Sequence, residues 1–339
     1  MTFKSNGKSV SLVLGSGGAR GLAHIGVINW LTENGYQIKS IAGSSMGALI
    51  GGIYATGKLD LYARWVGALQ KMDVLRLLDP ALNRAGLIKG DRVIELLRKM
   101  VGDVNIEDLP VSFVAVAMDY HTGKEVWLRR GNLFDAIRGS IAIPMLFTPF
   151  EKDGRFLIDG GTVNPVPIAP TLNDQTDLTV VVGLSGRDEA RLAHATDSPS
   201  AGSPVGGSST AGVADMNAAS GTIAGAASGK ESGSGIGPYR KRILGFLEGL
   251  TPVPAFTPSI GMVDVMLRAM DTMQGTITRF KLAAYSPDII IEIPHNSCQI
   301  HEFWRAEELI SLGRARTARA FSRQQFAHGT NDGHDTPAV

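Results

Sequence analysis

Apolar runs of strand length alternate with helically spaced apolar positions along most of this chain. Val10-Ser11-Leu12-Val13-Leu14 predicts a buried first strand, which breaks into Gly15-Ser16-Gly17-Gly18-Ala19-Arg20-Gly21. Leu22, Ile25, Ile28 and Leu31 then recur at helical spacing, and Gly35 stops the helix. Ser40-Ile41-Ala42 predicts a second strand, running through Gly43-Ser44-Ser45-Met46-Gly47 into an apolar helix over 48–53. Amphipathic helices follow over 61–72 and 92–100, the latter exposing Arg92, Glu95, Arg98 and Lys99. Residues 112–118 and 125–128 predict paired strands across the turn His121-Thr122-Gly123. A helix is expected over 133–143, ended by Pro144, and a short strand over 156–158 leads into Asp159-Gly160-Gly161. Strands over 178–184 and 289–293, a methionine-rich helix over 260–285 and a basic helix over 301–326 complete the pattern. Such alternation predicts an α/β fold, with helices on both faces of a mainly parallel sheet.

Between 186 and 237 the pattern disappears into Gly, Ser, Ala and Thr. That composition cannot bury enough apolar surface to offset its ordering entropy, so a disordered insertion is expected. Long surface insertions cost little closure entropy, and the strand beyond can rejoin the same sheet. The expectation is one domain over 8–326, interrupted by 186–237, with a flexible tail over 327–339. The methionines at 262, 266, 270 and 273 fit either ordinary core or a flexible wall for acyl chains.

A net charge of +1 gives no basic field for nucleic acid. The one cysteine, Cys298, reads as a small buried side chain and cannot form an internal disulfide, which suits a reducing compartment. The first eight residues lack the apolar core of a secretory signal, and no run reaches the length of a membrane span. These features predict a soluble, cytoplasmic protein. His24, His121, His194, His295, His301, His328 and His334 are scattered without ligand spacing, so catalysis with no metal or other cofactor is expected.

The chemistry centres on Gly43-Ser44-Ser45-Met46-Gly47, a G-x-S-x-G pattern at a strand-to-helix turn. Such an elbow holds its serine in a strained backbone conformation above the sheet, and Ser45 fills the central position. The earlier glycine loop offers backbone donors around Gly17, Gly18 and Ala19 for a developing oxyanion. A nucleotide-binding reading of that loop fits poorly, because Arg20 stands where a third glycine would be needed and no Gly-Lys-Ser/Thr follows. For the base, a Ser45, Asp159, His295 triad satisfies the role order of an α/β hydrolase. However, only one strand and one helix precede the elbow, fewer than that fold requires. His24 reads as a packed helix histidine. Asp159 can accept the serine proton directly if it lies within hydrogen-bond reach, or it can simply stabilise a turn.

Together, the glycine loop 15–21, the elbow 43–47 and Asp159-Gly160-Gly161 resemble the patatin-like phospholipases. The block Arg138-Gly139-Ser140-Ile141-Ala142-Ile143-Pro144, with Phe147 and Pro149, adds to the likeness. The resemblance implies a three-layer α/β/α fold and a Ser–Asp dyad acting on acyl esters. It implies Ser45 as nucleophile, Asp159 as base, and an oxyanion hole from Gly17, Gly18 and Ala19 with Arg20 nearby. Gly15, Gly21, Gly43, Gly47, Gly160 and Gly161 are its motif glycines. Ser16 departs from the family pattern, standing where a third consecutive glycine is usual, and the Gly/Ser-rich insertion is also outside it. Implied substrates are phospholipids, lysophospholipids or neutral acyl esters. Candidate peripheral membrane contacts are the region 61–78, the stretch 252–256 and the basic cluster Arg240-Lys241-Arg242. A catalytically weak lipid-binding or regulatory protein on the same fold is the alternative of another class.

Overall fold

A computed structural model describes residues 7–77, 86–187 and 261–329. All of these except Gly261 belong to one compact unit. The strands are β1 (Ser9–Leu14), β2 (Gln37–Ser44), β3 (Gly86–Ile88), β4 (Ser112–Asp119), β5 (Glu125–Leu128), β6 (Met145–Phe147), β7 (Phe150–Lys152), β8 (Arg155–Asp159), β9 (Leu178–Gly186) and β10 (Ile289–Pro294). The helices are α1 (Ala23–Glu33), α2 (Met46–Ala55), α3 (Leu59–Gly67), α4 (Lys71–Leu77), α5 (Asp91–Val101), α6 (Leu133–Ser140), α7 (Met262–Tyr285) and α8 (Ala306–Gly329).

The main sheet runs β10-β9-β1-β2-β4-β8-β7, with β5 also on β4. From β10 to β4 every pairing is parallel, and around β4, β5, β7 and β8 every pairing is antiparallel. Alternation along β1 and β9 fixes the two faces. Leu12, Leu14, Val180 and Val182 point into the large core shared with α1, α2, α6 and α8, whereas Val13 and Val181 pack with Val166, Ile168 and Leu282. The second face is therefore covered by the 166–168 segment and α7. The result is the expected three-layer α/β/α arrangement around a mainly parallel sheet.

Helices α1 and α8 cross closely. A Cβ on Gly26 or Gly313 would run into the backbone of the other helix. Phe321 of α8 packs 4.8 Å from Trp30 and 4.9 Å from Tyr36, centroid to centroid. This clamp fixes the helix that leaves the glycine loop.

Several sequence expectations change in detail. The 133–143 helix ends at Ser140, because the residue before a proline disfavours helical geometry and the Ala142 carbonyl accepts the Asp159 amide at 3.0 Å. The 61–72 helix divides into α3 and α4, with Leu59, Tyr62 and Val66 turned into the core. The final helix runs through Gly329, three positions into the predicted tail, and 330–339 lie outside the described residues. Gly186, the first residue of the predicted insertion, ends β9, while 188–237 lie outside the described residues, as do 240–242 and 252–256. Strands β3, β6 and β7 have no counterpart in the sequence reading, being too short to show a period.

Candidate active site

Ser45 sits between β2 and α2 with φ 54° and ψ −121°, a sparsely populated conformation for a residue with a side chain. Two neighbours make it possible. A Cβ on Gly43 would lie 2.5 Å from the Ala48 amide nitrogen, and one on Gly47 would strike the Leu14 carbonyl oxygen. The turn is held from outside as well. The Ser45 amide donates to Ser140 Oγ at 2.9 Å, and Ser140 Oγ donates to the Val116 carbonyl at 2.6 Å.

Asp159 reaches the same point from the far side of β4. Ser44 pairs in register with Val116, and Asp159 pairs with Ala117, so two residues 114 positions apart meet over one strand. Ser45 Oγ donates to Asp159 Oδ2 at 2.5 Å. The Gly161 amide donates to Oδ1 at 2.7 Å and fixes the carboxyl plane. Both side chains are buried. Burial pushes the Asp159 carboxyl up to about 7, against the opposing pull of the Ser45 and Gly161 hydrogen bonds.

The glycine loop distributes its amides unevenly. Gly15 donates to Val182, Ser16 to Pro165 at 2.8 Å and Ala19 to Ile300 at 2.9 Å. Among the described residues, the Gly17 and Gly18 amides meet no acceptor, and both residues line the cleft beside Ser45 and Asp159. Ser16, the departure from the usual glycine, therefore spends its amide on Pro165 and not on the cleft. Gly18 has φ +57°, and a Cβ there would collide with Ile300. Arg20 is buried, and its guanidinium donates to the Gly17 carbonyl at 3.2 Å, the His295 carbonyl at 2.7 Å and Asp271 at 2.5 Å. It braces the loop against α7. Gly21 lies against Met46, and Gly160 against the Val116 carbonyl.

His295 does not join Ser45. Its Nδ1 lies 3.3 Å from the Gly186 carbonyl, which also accepts the His295 amide at 3.0 Å. His24 is fully buried, with Nε2 at 2.9 Å from the Gly15 carbonyl, and desolvation lowers it to about 4. It is neutral at pH 7, so Nε2–H donates and pins the start of the loop. Among the described residues, no three His, Cys, Asp or Glu side chains gather into a metal-holding group.

The remaining wall comes from residues that the sequence left without a role: Ile143, Ile300 and, from α7, Leu267, Met270, Asp271 and Gln274. The methionine pattern was the available signal. Met270 is 9% exposed and lines the cleft, whereas Met266 and Met273 point outward and are not core. The cavity holds roughly 20 Å³, space for about one water.

The patatin-like phospholipase family model matches residues 12–172, which carry the glycine loop, Ser45 and Asp159. The uncharacterized NTE family protein Rv1063c of Mycobacterium tuberculosis is 40% identical over 334 residues, covering 93% of this chain and 92% of its own length. This chain belongs to the patatin-like phospholipase family. The uncharacterized NTE family protein Mb1092c of Mycobacterium bovis matches equally over the same lengths. The Caenorhabditis elegans patatin-like phospholipase domain-containing protein ZK370.4 is 31% identical over 199 residues, 57% of this chain and 15% of that protein. The patatin-like domain supports a lipid hydrolase activity in general. Among the described residues, no helix is long and apolar enough to cross a membrane.

Proposed function

We propose that Ser45 and Asp159 form a catalytic dyad that hydrolyses lipid acyl esters (phospholipid, lysophospholipid or neutral ester) through an acyl-enzyme. The observation that carries this reading is the 2.5 Å hydrogen bond from Ser45 Oγ to Asp159 Oδ2, beside two unpartnered loop amides. Asp159 takes the Ser45 proton as Oγ attacks the ester carbonyl carbon. The carbonyl oxygen becomes an oxyanion served by the Gly17 and Gly18 N–H groups, and the N-terminus of α2 favours the same charge. Collapse breaks the bond to the alcohol, which leaves with the proton from Asp159. Water then attacks the acyl carbon as Asp159 takes its proton, and that proton passes to Ser45 Oγ as the bond to the serine breaks and the fatty acid departs.

The single domain over 8–326 and a cytoplasmic location belong to the same proposal. Cys298 suits it, being buried with its thiol pushed up to about 11, an inert form. Wild type, Ser45→Ala and Asp159→Asn assayed on acyl esters of graded chain length and headgroup test the reading. Turnover by wild type alone supports it, and equal hydrolysis by all three sinks it.

A further inference from the structure

Helix α7 is apolar on two faces. Leu267 and Met270 line the cleft over Ser45. Facing away are Val265 at 54% exposure, Met266 at 44%, Met273 at 56% and Phe280 at 73%. At about 100° per residue, these four and the exposed Ala269, Ala283 and Ala284 fall within roughly 100° of arc, where the one polar side chain, the half-buried Thr276, donates to the Thr272 carbonyl and accepts from Arg279. Exposed large apolar side chains are ordinarily scattered, and a contiguous stripe marks an interaction surface. One edge is basic. Arg268 and Arg279 stand exposed along it. Lys281 lies off the stripe, half-buried near the azimuth of Met270, with its ammonium 5.9 Å from the Tyr285 ring centroid and Glu125 nearby. The acidic Asp271 is turned away and paired with Arg20.

We propose that this stripe seats the protein on an anionic bilayer, with Val265, Met266, Met273 and Phe280 at the acyl-chain boundary and Arg268 and Arg279 among the headgroups. The inference deepens the lipid-ester reading and rests on it. An apolar helix face with flanking cations is the composition that lies in a membrane interface. Four large side chains on one helix also fall short of the roughly 800 Å² per partner of a stable protein pair. The same helix lines the Ser45 cleft, whose roughly 20 Å³ admits an acyl chain only if lining side chains part, so docking here brings the leaflet against one of its walls.

Flotation of the Ser45→Ala protein with vesicles of phosphatidylcholine and phosphatidylglycerol tests docking apart from hydrolysis. The expected result is co-flotation that weakens on pure phosphatidylcholine. Adding Met266→Glu, Met273→Glu and Phe280→Glu should lower the bound fraction about tenfold or more. Those three changes with Ser45 intact should leave hydrolysis of a short-chain, water-soluble nitrophenyl ester at the wild-type rate. Met273→Gln with Phe280→Gln, monitored by circular dichroism, provides a milder pair should the charged variant fail to fold. Undiminished flotation of either stripe variant, or no flotation of the starting protein, overturns the proposal. A solution dimer that the stripe changes dissolve, without vesicle binding, also overturns it and assigns the face to a second copy. Flotation as expected with no ester hydrolysis by wild type supports docking while removing the dyad reading.

Discussion

The two walls of the Ser45 cleft are built on opposite principles. One is sheet-anchored: Ser45, Asp159, Gly17 and Gly18 sit at the ends of β2, β8 and β1, buried and packed so that added Cβ atoms meet backbone or core side chains. The other is mostly one helix, α7, presenting Leu267, Met270 and Gln274 beside Ile143 and Ile300, with more methionine on its outer face. A reacting centre needs fixed distances, and interior packing supplies them. A wall that must accept different acyl chains benefits from unbranched, adaptable side chains. In the proposed function, chemistry falls to the rigid wall and chain fit to the adaptable one.

The largest effects are expected at the rigid wall. Ser45→Ala or Asp159→Asn should lower kcat by about a thousandfold or more, with chain-length preference no longer measurable. Gly18→Val comes next. Its φ of +57° and the Ile300 contact force the loop to shift, so kcat should fall on the order of a hundredfold, the scale of a lost oxyanion donor. A small KM change beside it would show that the loop serves the transition state.

The pH profile sharpens the same wall. With Asp159 raised to about 7, the carboxyl is protonated below that pH and cannot accept the serine proton. The free-enzyme profile of kcat/KM should therefore fall about tenfold per pH unit below 7 and level off above it. The raised pKa also means that the folded chain binds this proton more tightly than the unfolded chain. The associated stability is fully present below the ordinary carboxylate range and is lost as pH rises through about 7. Asp159→Asn should consequently melt above wild type at pH 8, by a margin that shrinks at pH 5. Ser140→Ala leaves the Ser45 amide and the Val116 carbonyl without their shared partner, at a stability cost of about 1–3 kcal/mol, and should lower kcat roughly tenfold. The smallest effect belongs to the helical wall. Met270→Ala should shift preference among acyl chain lengths a few-fold, read as kcat/KM ratios, without moving the pH profile.

The sequence displayed the rigid wall far better than the adaptable one. Glycine is forced wherever backbones meet, so Gly43, Gly47 and Gly161 advertise the elbow and the Asp159 turn. Strand periods then set β1, β2, β4 and β9 in place. Which loop amides remain free was not legible, since it depends on Pro165 and Ile300, distant in sequence, taking those of Ser16 and Ala19. Arg20 likewise meets its partner Asp271 only across the folded interior. Ser140 was visible within its block but not its role, which arises from the neighbouring carbonyl of β4. Met266, Met270 and Met273 lie on two faces of α7, so their spacing alone did not say which one turned to the cleft.

The dyad is tested most directly by intact-mass measurement of labelling with an alkyl phosphonate ester, followed by peptide mapping. Wild type and His295→Ala should gain one adduct at Ser45 at similar rates, and Asp159→Asn should label far more slowly at the same site. Loss of labelling in His295→Ala, or undiminished labelling in Asp159→Asn, would contradict Asp159 as the base that activates Ser45.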